Sequence, residues 1–323
     1  MAGRFPFPAF PKGWFQVAWS SELEAGAVKP LRYFGKDLVL FRGEDGEAHL
    51  LDAFCPHLGA HLGHGGVVKG NDIECPFHAW TFDGAGRCSN IPYAKKVPKK
   101  SALNAWTIRE QGGLIIAWHH PQGAEPDFEL PETPELEGDG WSDPVHLSWI
   151  IKTCNQEMAE NSVDAAHFQY LHGTAGMPET VATPHGAVLH AESKILMTVG
   201  GNKIPGAIDV HCHGFGYTTT RFKGLVETLL VSSATAIEEE LTEIRFTFIV
   251  KKLGGASTTA GIGRAFVKEV SIQLEQDIPI WENKIYVDPP MLCDGDGPVG
   301  IFRKWAKQFY PGWSKDQTRA SAA

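Results

Sequence analysis

Cys55-Pro56-His57 and Cys75-Pro76-Phe77-His78 each place one cysteine and one histidine on a tight, proline-containing loop. Seventeen residues lie between His57 and Cys75. The two loops together offer two thiolates and two imidazoles. A Rieske-type [2Fe–2S] cluster takes that set, with two cysteines on one iron and two histidines on the other. The neutral imidazoles raise its reduction potential well above that of an all-cysteine cluster. A structural zinc ion takes the same four donors, but zinc sites usually put both cysteines in one knuckle and both histidines in another. Here each knuckle is mixed, which suits the asymmetric cluster. A chain that holds it transfers electrons or consumes them.

A second constellation follows at Asp164-Ala165-Ala166-His167-Phe168-Gln169-Tyr170-Leu171-His172. Asp164 and His167 are at i and i+3 and share a face of a helix. His167 and His172 are five apart, about 140° around a helix of 3.6 residues per turn. Both reach one ion only where the helix bulges or ends, and Gly173 is a natural stop. Two histidines and a carboxylate with open positions form the donor set of a mononuclear iron that activates dioxygen. The carboxylate candidate is Asp277. It interrupts the stripe Phe266, Val270, Leu274, Asp277, Trp281, Ile285, which has the spacing of a core-facing helix surface. A carboxylate buried there unpaired is costly, and metal ligation removes that cost. The competing readings are a carboxylate satisfied by hydrogen bonds, or a helix kinked at Pro279 that leaves it wet.

Two further patterns carry less. His185 and His190 repeat the five-residue spacing, but they sit where a loop enters a strand, without a helical carboxylate nearby, and read as ordinary histidines. Glu157, Glu160, Asp164 and His167 line one helical face, as in di-iron carboxylate proteins. Those proteins need paired helices of a four-helix bundle, and this chain is rich in strands.

The elements that must position these groups fall into two parts. The first reads as short strands and turns. Asp37–Arg42 and Ala48–Ala53 flank Glu44-Asp45-Gly46, a hairpin signal, and Gly113–Trp118 is a buried-strand candidate. The segment from Pro121 to Asp143 is rich in Pro, Glu, Gly and Asp and reads as a linker. The expected division is an antiparallel β domain over 1–135 and a second domain over 136–323. In the second, Asn155–Leu171 has helical spacing. Strand-like runs cover Ala187–Val199, Ala207–Phe222, Val226–Ile237 and Leu241–Lys252, and helices are expected over Arg264–Val287 and Pro298–Phe309. An antiparallel sheet wrapped on helices is an α+β domain, and its concave face could hold an apolar substrate. Leu196, Val210, Phe215, Leu230 and Phe246 are candidates for pocket or core, which alternation alone does not separate.

The chain of 323 residues has a net charge of -9, which argues against nucleic acid or an anionic membrane as partner. Its start lacks the apolar run of a signal peptide, and no stretch of about 20 apolar residues exists to span a bilayer. The six cysteines are scattered, at 55, 75, 88, 154, 212 and 293. That fits a reducing cytoplasm with metal-ligand cysteines.

Taken together, Cys-x-His…Cys-x2-His and the later Asp-x2-His-x4-His resemble the oxygenase component of Rieske non-haem iron oxygenases. The resemblance runs from Gly13-Trp14 to Tyr310. It implies a Rieske β domain joined to a helix-grip catalytic domain. It also implies a cluster on Cys55, His57, Cys75 and His78, and an Fe(II) ion on His167 and His172. Asp164 matches the aspartate that links the cluster of one subunit to the iron of its neighbour, in a ring of three identical chains. Gln276-Asp277-Ile278-Pro279-Ile280-Trp281-Glu282-Asn283-Lys284 and Arg303–Tyr310 are similar to the 3-ketosteroid 9α-hydroxylase oxygenases and cholesterol 7-desaturases. In that subgroup the aspartate corresponding to Asp277 is the third iron ligand. The implied reaction is dioxygen-dependent hydroxylation of a hydrophobic, steroid-like or polycyclic substrate. Sterol desaturation and oxidation of a smaller aromatic are the alternatives. Gly261-Ile262-Gly263 is too short for a dinucleotide fingerprint. Electrons must then come from a separate NAD(P)H-dependent flavin reductase, directly or through a ferredoxin. Two other classes are an electron carrier without a second iron and a zinc-stabilised lipid-binding module.

Overall fold

The computed structural model describes residues 4–199, 202–224 and 226–313. Ten strands come first: β1 (Gly13–Trp19), β2 (Val28–Tyr33), β3 (Lys36–Arg42), β4 (Ala48–Asp52), β5 (Val67–Lys69), β6 (Asp72–Glu74), β7 (Thr81–Phe82), β8 (Cys88–Asn90), β9 (Ile108–Gln111) and β10 (Leu114–His119). They make three small antiparallel sheets, ordered β1-β10-β9, β2-β3-β4 and β5-β6-β7-β8. The expected hairpin joins β3 to β4, with Gly46 at φ 88° in its turn. The buried strand expected near residue 114 is β10, all six of whose residues are buried.

The rest of the chain contains β11 (Val145–Ile151), α1 (Asn155–Glu160), α2 (Ala166–Tyr170), β12 (Glu179–His185), β13 (Val188–Val199), β14 (Asn202–His213), β15 (Tyr217–Lys223), β16 (Thr228–Glu238), β17 (Leu241–Val250), α3 (Ala256–Asn283) and α4 (Val299–Ala306). Its strands form one antiparallel sheet, ordered β11-β17-β16-β15-β14-β13-β12. The fold is the α+β architecture expected. The run Ala207–Phe222 is a hairpin rather than one strand. Gly214 turns the chain at φ 66°, and Gly216 lets the turn press on β1. A Cβ on Gly216 would lie 2.2 Å from the Phe15 ring and 2.3 Å from the Trp14 carbonyl oxygen. β11 and β12, the two edge strands, escaped the sequence reading because only one residue in each is buried.

The large sheet is covered on both sides. On one face Leu229, Val231 and Ile249 pack on Trp14, Ile116 and Trp118 of β1 and β10. On the other, Leu230, Ala234 and Phe246 pack with Leu274 and Trp281 of α3. A strand buried on both faces reads as a continuous apolar run, so β16 shows no alternation that could separate pocket from core. α4 closes the second layer with Phe302 and Trp305. The Arg303 guanidinium donates to both oxygens of Glu160 at 2.7 Å, tying α4 to α1.

Two helices differ from expectation. α3 begins earlier than Arg264 and continues past Pro279 to Asn283. Its apolar stripe ends at Trp281, because Ile285 lies beyond the helix and is 63% exposed. The helix expected over Asn155–Leu171 is two short pieces, and the break between them builds part of the site.

Candidate metal centres

The two Cys/His loops are near copies of each other. In the first, the Cys55 N–H donates to the Ala60 carbonyl and the Gly59 N–H to the Cys55 carbonyl. In the second, Cys75 N–H donates to Trp80 O and Ala79 N–H to Cys75 O. Each knuckle closes through a left-handed residue, Gly59 at φ 76° and Ala79 at φ 56°. A non-glycine there is strained, and it is kept because the loop bonds over-determine it. Cys55 and Cys75 are buried. His57 stacks on Trp80 with ring centroids 4.7 Å apart, and the Trp80 indole N–H donates to the Tyr93 hydroxyl at 2.7 Å. The His57 and His78 rings lie 4.6 Å apart.

Three observations test whether these residues fit a [2Fe–2S] cluster. Nδ1 of His57 and Nδ1 of His78 are both buried without a hydrogen-bond partner, a costly state unless something else binds them. Burial, with Cys75 alongside, pushes the Cys55 thiol up to about 11, so a thiolate there at neutral pH needs a bound cation. Finally, no three donors of this quartet lie within 4.8 Å of one another, whereas two other trios among the described residues do. Ligands of one tetrahedral zinc, at 2.0–2.3 Å from the ion, must be closer than that. A two-iron cluster spans the wider gap, so the residues fit the cluster and not the zinc ion.

The second site is built by a helix break. α1 continues as a 3-10 turn over Asn161–Val163 and stops at Asp164, whose φ -80°, ψ 101° is extended. Asp164 Oδ1 then accepts from the N–H groups of Ala166 and His167 at 3.1 and 3.3 Å, capping α2. Asp164 therefore does not share a helical face with His167; it caps the helix that carries it. Burial alone would raise the Asp164 carboxyl, but the His167 imidazole and these N–H donors hold it below the usual range. α2 ends at Tyr170, and Gly173 takes φ 68°. This stop folds His172 back until its ring centroid is 5.0 Å from that of His167.

Both imidazoles are oriented by acceptors. His167 Nδ1 is 2.6 Å from the Asp164 carbonyl oxygen, and His172 Nδ1 is 2.9 Å from Gln276 Oε1. A carbonyl and an amide oxygen accept, so each Nδ1 carries the proton and each Nε2 keeps its lone pair. From α3, Asp277 brings Oδ1 to 3.5 Å from His172 Nε2. The donors of His167, His172 and Asp277 all lie within 4.8 Å of one another. Asp277 is 8% exposed, as its place in the stripe requires. Burial alone would lower the His172 imidazole, but Asp277 and Gln276 outweigh it and hold it above its ordinary value. The trio fits a facial two-histidine, one-carboxylate iron.

The trio opens onto a cavity of about 200 Å³. Its wall is the sheet: Val210, Phe215, Leu230 and Phe246 line it, while Leu196 is 48% exposed and takes no part. Asn161, Ser162, Thr220 and Gln273 add a few polar groups. Gln276, Trp80 and Tyr93 are the supporting residues that sequence reasoning missed. Gln276 adjoins Asp277 in the quoted motif, and that adjacency was its signal.

Solved structures share this fold. The Pseudomonas putida CBB5 NdmA QL mutant with caffeine superposes with a TM-score of 0.76 at 18% identity, covering 91% of this chain and 89% of that one. Dicamba monooxygenase with non-haem iron and dicamba gives 0.68 at 17% identity over 99% and 100%. These likenesses define the fold. Residues 13–101 match the Rieske [2Fe-2S] domain family, and residues 117–310 match the 3-ketosteroid 9α-hydroxylase C-terminal domain family. The chain is 36% identical over 324 residues to a 3-ketosteroid-9-alpha-monooxygenase oxygenase component of Rhodococcus rhodochrous, covering 93% of this chain and 84% of that one. It is 32% identical to cholesterol 7-desaturase nvd of Xenopus laevis over 96% and 74%. The chain belongs to the Rieske oxygenases that carry the 3-ketosteroid 9α-hydroxylase C-terminal domain. It is thus an oxygenase component, with a Rieske [2Fe–2S] cluster and a non-haem iron as cofactors and a separate protein as electron source. No helix among the described residues is long and apolar enough to cross a membrane.

Proposed function

We propose that the chain hydroxylates a hydrophobic, steroid-like substrate with dioxygen. Cys55, His57, Cys75 and His78 hold the cluster, and His167, His172 and Asp277 hold the iron. The observation that carries this reading is the placement of the trio at an apolar cavity wall. When bound, the cluster supplies one-electron transfer, and the iron supplies dioxygen activation towards a C–H bond. The chain's own residues do the rest. Val210, Leu230 and Phe246 exclude water from the cavity and hold an apolar ring system. Asn161 and Gln273 offer hydrogen bonds to an oxygen of the substrate. The Asp164 carbonyl and the Gln276 amide fix the tautomers of the two histidines.

Asp164 is assigned to the link between this iron site and a cluster histidine of a neighbouring chain in a homotrimer. Its side chain is 41% exposed. Phe54, Leu58 and Phe77 form an exposed apolar rim around the cluster loops, which supports burial against another chain. The electron donor is a NAD(P)H-dependent flavin reductase, with or without a ferredoxin. The cytoplasm is the proposed location, since all six cysteines are free.

The cavity volume favours one second reading. About 200 Å³ lies below the roughly 300–1,000 Å³ of pockets for drug-sized ligands, so a smaller aromatic fits without movement. Turnover with a generic reductase against 3-ketosteroids, sterols and smaller aromatics separates the two. A hydroxylated steroid supports the proposal, an unsaturated sterol shifts it to desaturation, and turnover of small aromatics alone overturns it.

A further inference from the structure

The sheet carries a second convergent set of donors on the face away from the substrate cavity. Ile208, Val210 and Cys212 of β14 line that cavity. The alternate residues Asp209 and His211 point to the opposite face, since side chains alternate along a strand. The β13–β14 register sets His190 directly across from His211, and Glu192 across from Asp209. One face of two strands thus presents two imidazoles and two carboxylates in a square.

Three of the four already converge. His190 Nε2 is 2.8 Å from Asp209 Oδ1, and His211 Nδ1 is 3.6 Å from the same oxygen. The donors of His190, Asp209 and His211 lie within 4.8 Å of one another, the only such group among the described residues besides the iron trio. The two rings are stacked, with centroids 4.3 Å apart and planes 8° apart. His211 Nδ1 is buried and has no hydrogen-bond partner. As an N–H it is too far from Asp209 for a hydrogen bond; as a lone pair it faces a carboxylate oxygen. A cation held by that lone pair and the carboxylate removes the conflict. The nearby positive groups are already matched: Lys223 Nζ holds Asp209 Oδ2 at 3.0 Å, and Arg221 pairs with Glu135 at 2.7 Å. Oδ1 faces both imidazoles, and the His190 side chain is 35% exposed, which gives an ion access.

We propose that His190, Asp209 and His211 form a divalent-cation site, distinct from the iron and the cluster, that takes a borderline ion such as Zn²⁺. Two imidazoles and one carboxylate suit that class of metal. Glu192, opposite Asp209 in the register, is a further carboxylate on the same face. An ion there clamps β13 to β14 directly behind the wall of the substrate cavity.

The test is a Zn²⁺ titration of the iron-replete protein, followed by calorimetry, metal analysis after dialysis and thermal unfolding. One Zn²⁺ per chain should bind without loss of iron and raise the unfolding midpoint. His190→Gln and Asp209→Asn should each weaken that binding by about tenfold or more and leave the cluster spectrum unchanged. His172→Ala, which damages the iron site, should leave it intact. Uptake only by displacing iron, no uptake, or wild-type affinity in both variants overturns the proposal. If one variant does not fold, the other decides.

Discussion

His172 Nε2 lies 3.5 Å from Asp277 Oδ1, although more than a hundred residues separate the two along the chain. The contact joins a histidine just beyond the end of α2 to a carboxylate near the C-terminal end of α3, and His167 completes the group. A buried carboxylate facing an imidazole lone pair is a poor arrangement by itself. With a cation between them it becomes a binding site.

Removing Asp277 should therefore separate the two metal centres. Asp277→Ala is expected to lose the mononuclear iron and all turnover, while the cluster keeps its visible absorption and its reduced-state magnetic resonance signal. Iron analysis checks this: the count should fall by about a third, from the two cluster irons plus one to the two alone. An unchanged count would refute the ligand role.

Gln276 should act through His172 alone. Gln276→Leu removes the acceptor that holds Nδ1–H, and such outer-shell changes cost about 10–100-fold in metal affinity. Chelator competition against the reconstituted iron site measures this. Gln276→Glu should restore affinity, because it supplies an acceptor at the same place. Equal affinity in all three proteins would show that His172 needs no such support.

Asp164→Ala should leave both metals bound and abolish turnover. The group that orients His167 is the backbone carbonyl of residue 164, which the substitution retains. Loss of the cap on α2 should cost about 1 kcal/mol of stability, readable by denaturant unfolding. Iron content equal to wild type with no product is the expected pair of results, and full activity would dismiss the linking role.

His119 should make stability fall in mild acid. Burial lowers its imidazole from 6.5 to about 4, and its Nδ1–H donates to the Pro11 carbonyl at 2.8 Å. The folded chain keeps it neutral while the unfolded chain protonates it below about pH 6.5. This stabilisation is present above that pH and is lost as pH falls towards 4, up to about 3 kcal/mol. His119→Phe, which preserves the stack on Phe34, should show a shallower decline over that window in unfolding experiments. A decline as steep as wild type would assign the effect to other groups.

What the sequence determined by itself is local. Cys55, His57, Cys75 and His78 are paired by loops of three and four residues, so their spacing alone brings a thiolate and an imidazole together. Gly173 after His172 marks the stop that folds the two iron-site histidines towards each other. Asp277 could be singled out because one carboxylate breaks an apolar helical stripe. Tertiary structure decided the rest. The spread of the cluster donors, too wide for one zinc ion, depends on how far apart β-rich packing holds the two knuckles. The break at Asp164 outweighed helical spacing because its side chain satisfies the first N–H groups of α2 instead of continuing α1. The identity of the cavity wall was hidden because β16 is buried on both faces, where apolar residues serve pocket and core alike. Likewise His190 looked ordinary beside His185, and only the register of β13 against β14 sets it opposite His211. Spacing along a chain can specify neighbours within a turn, whereas partners across a sheet exist only once the strands have paired.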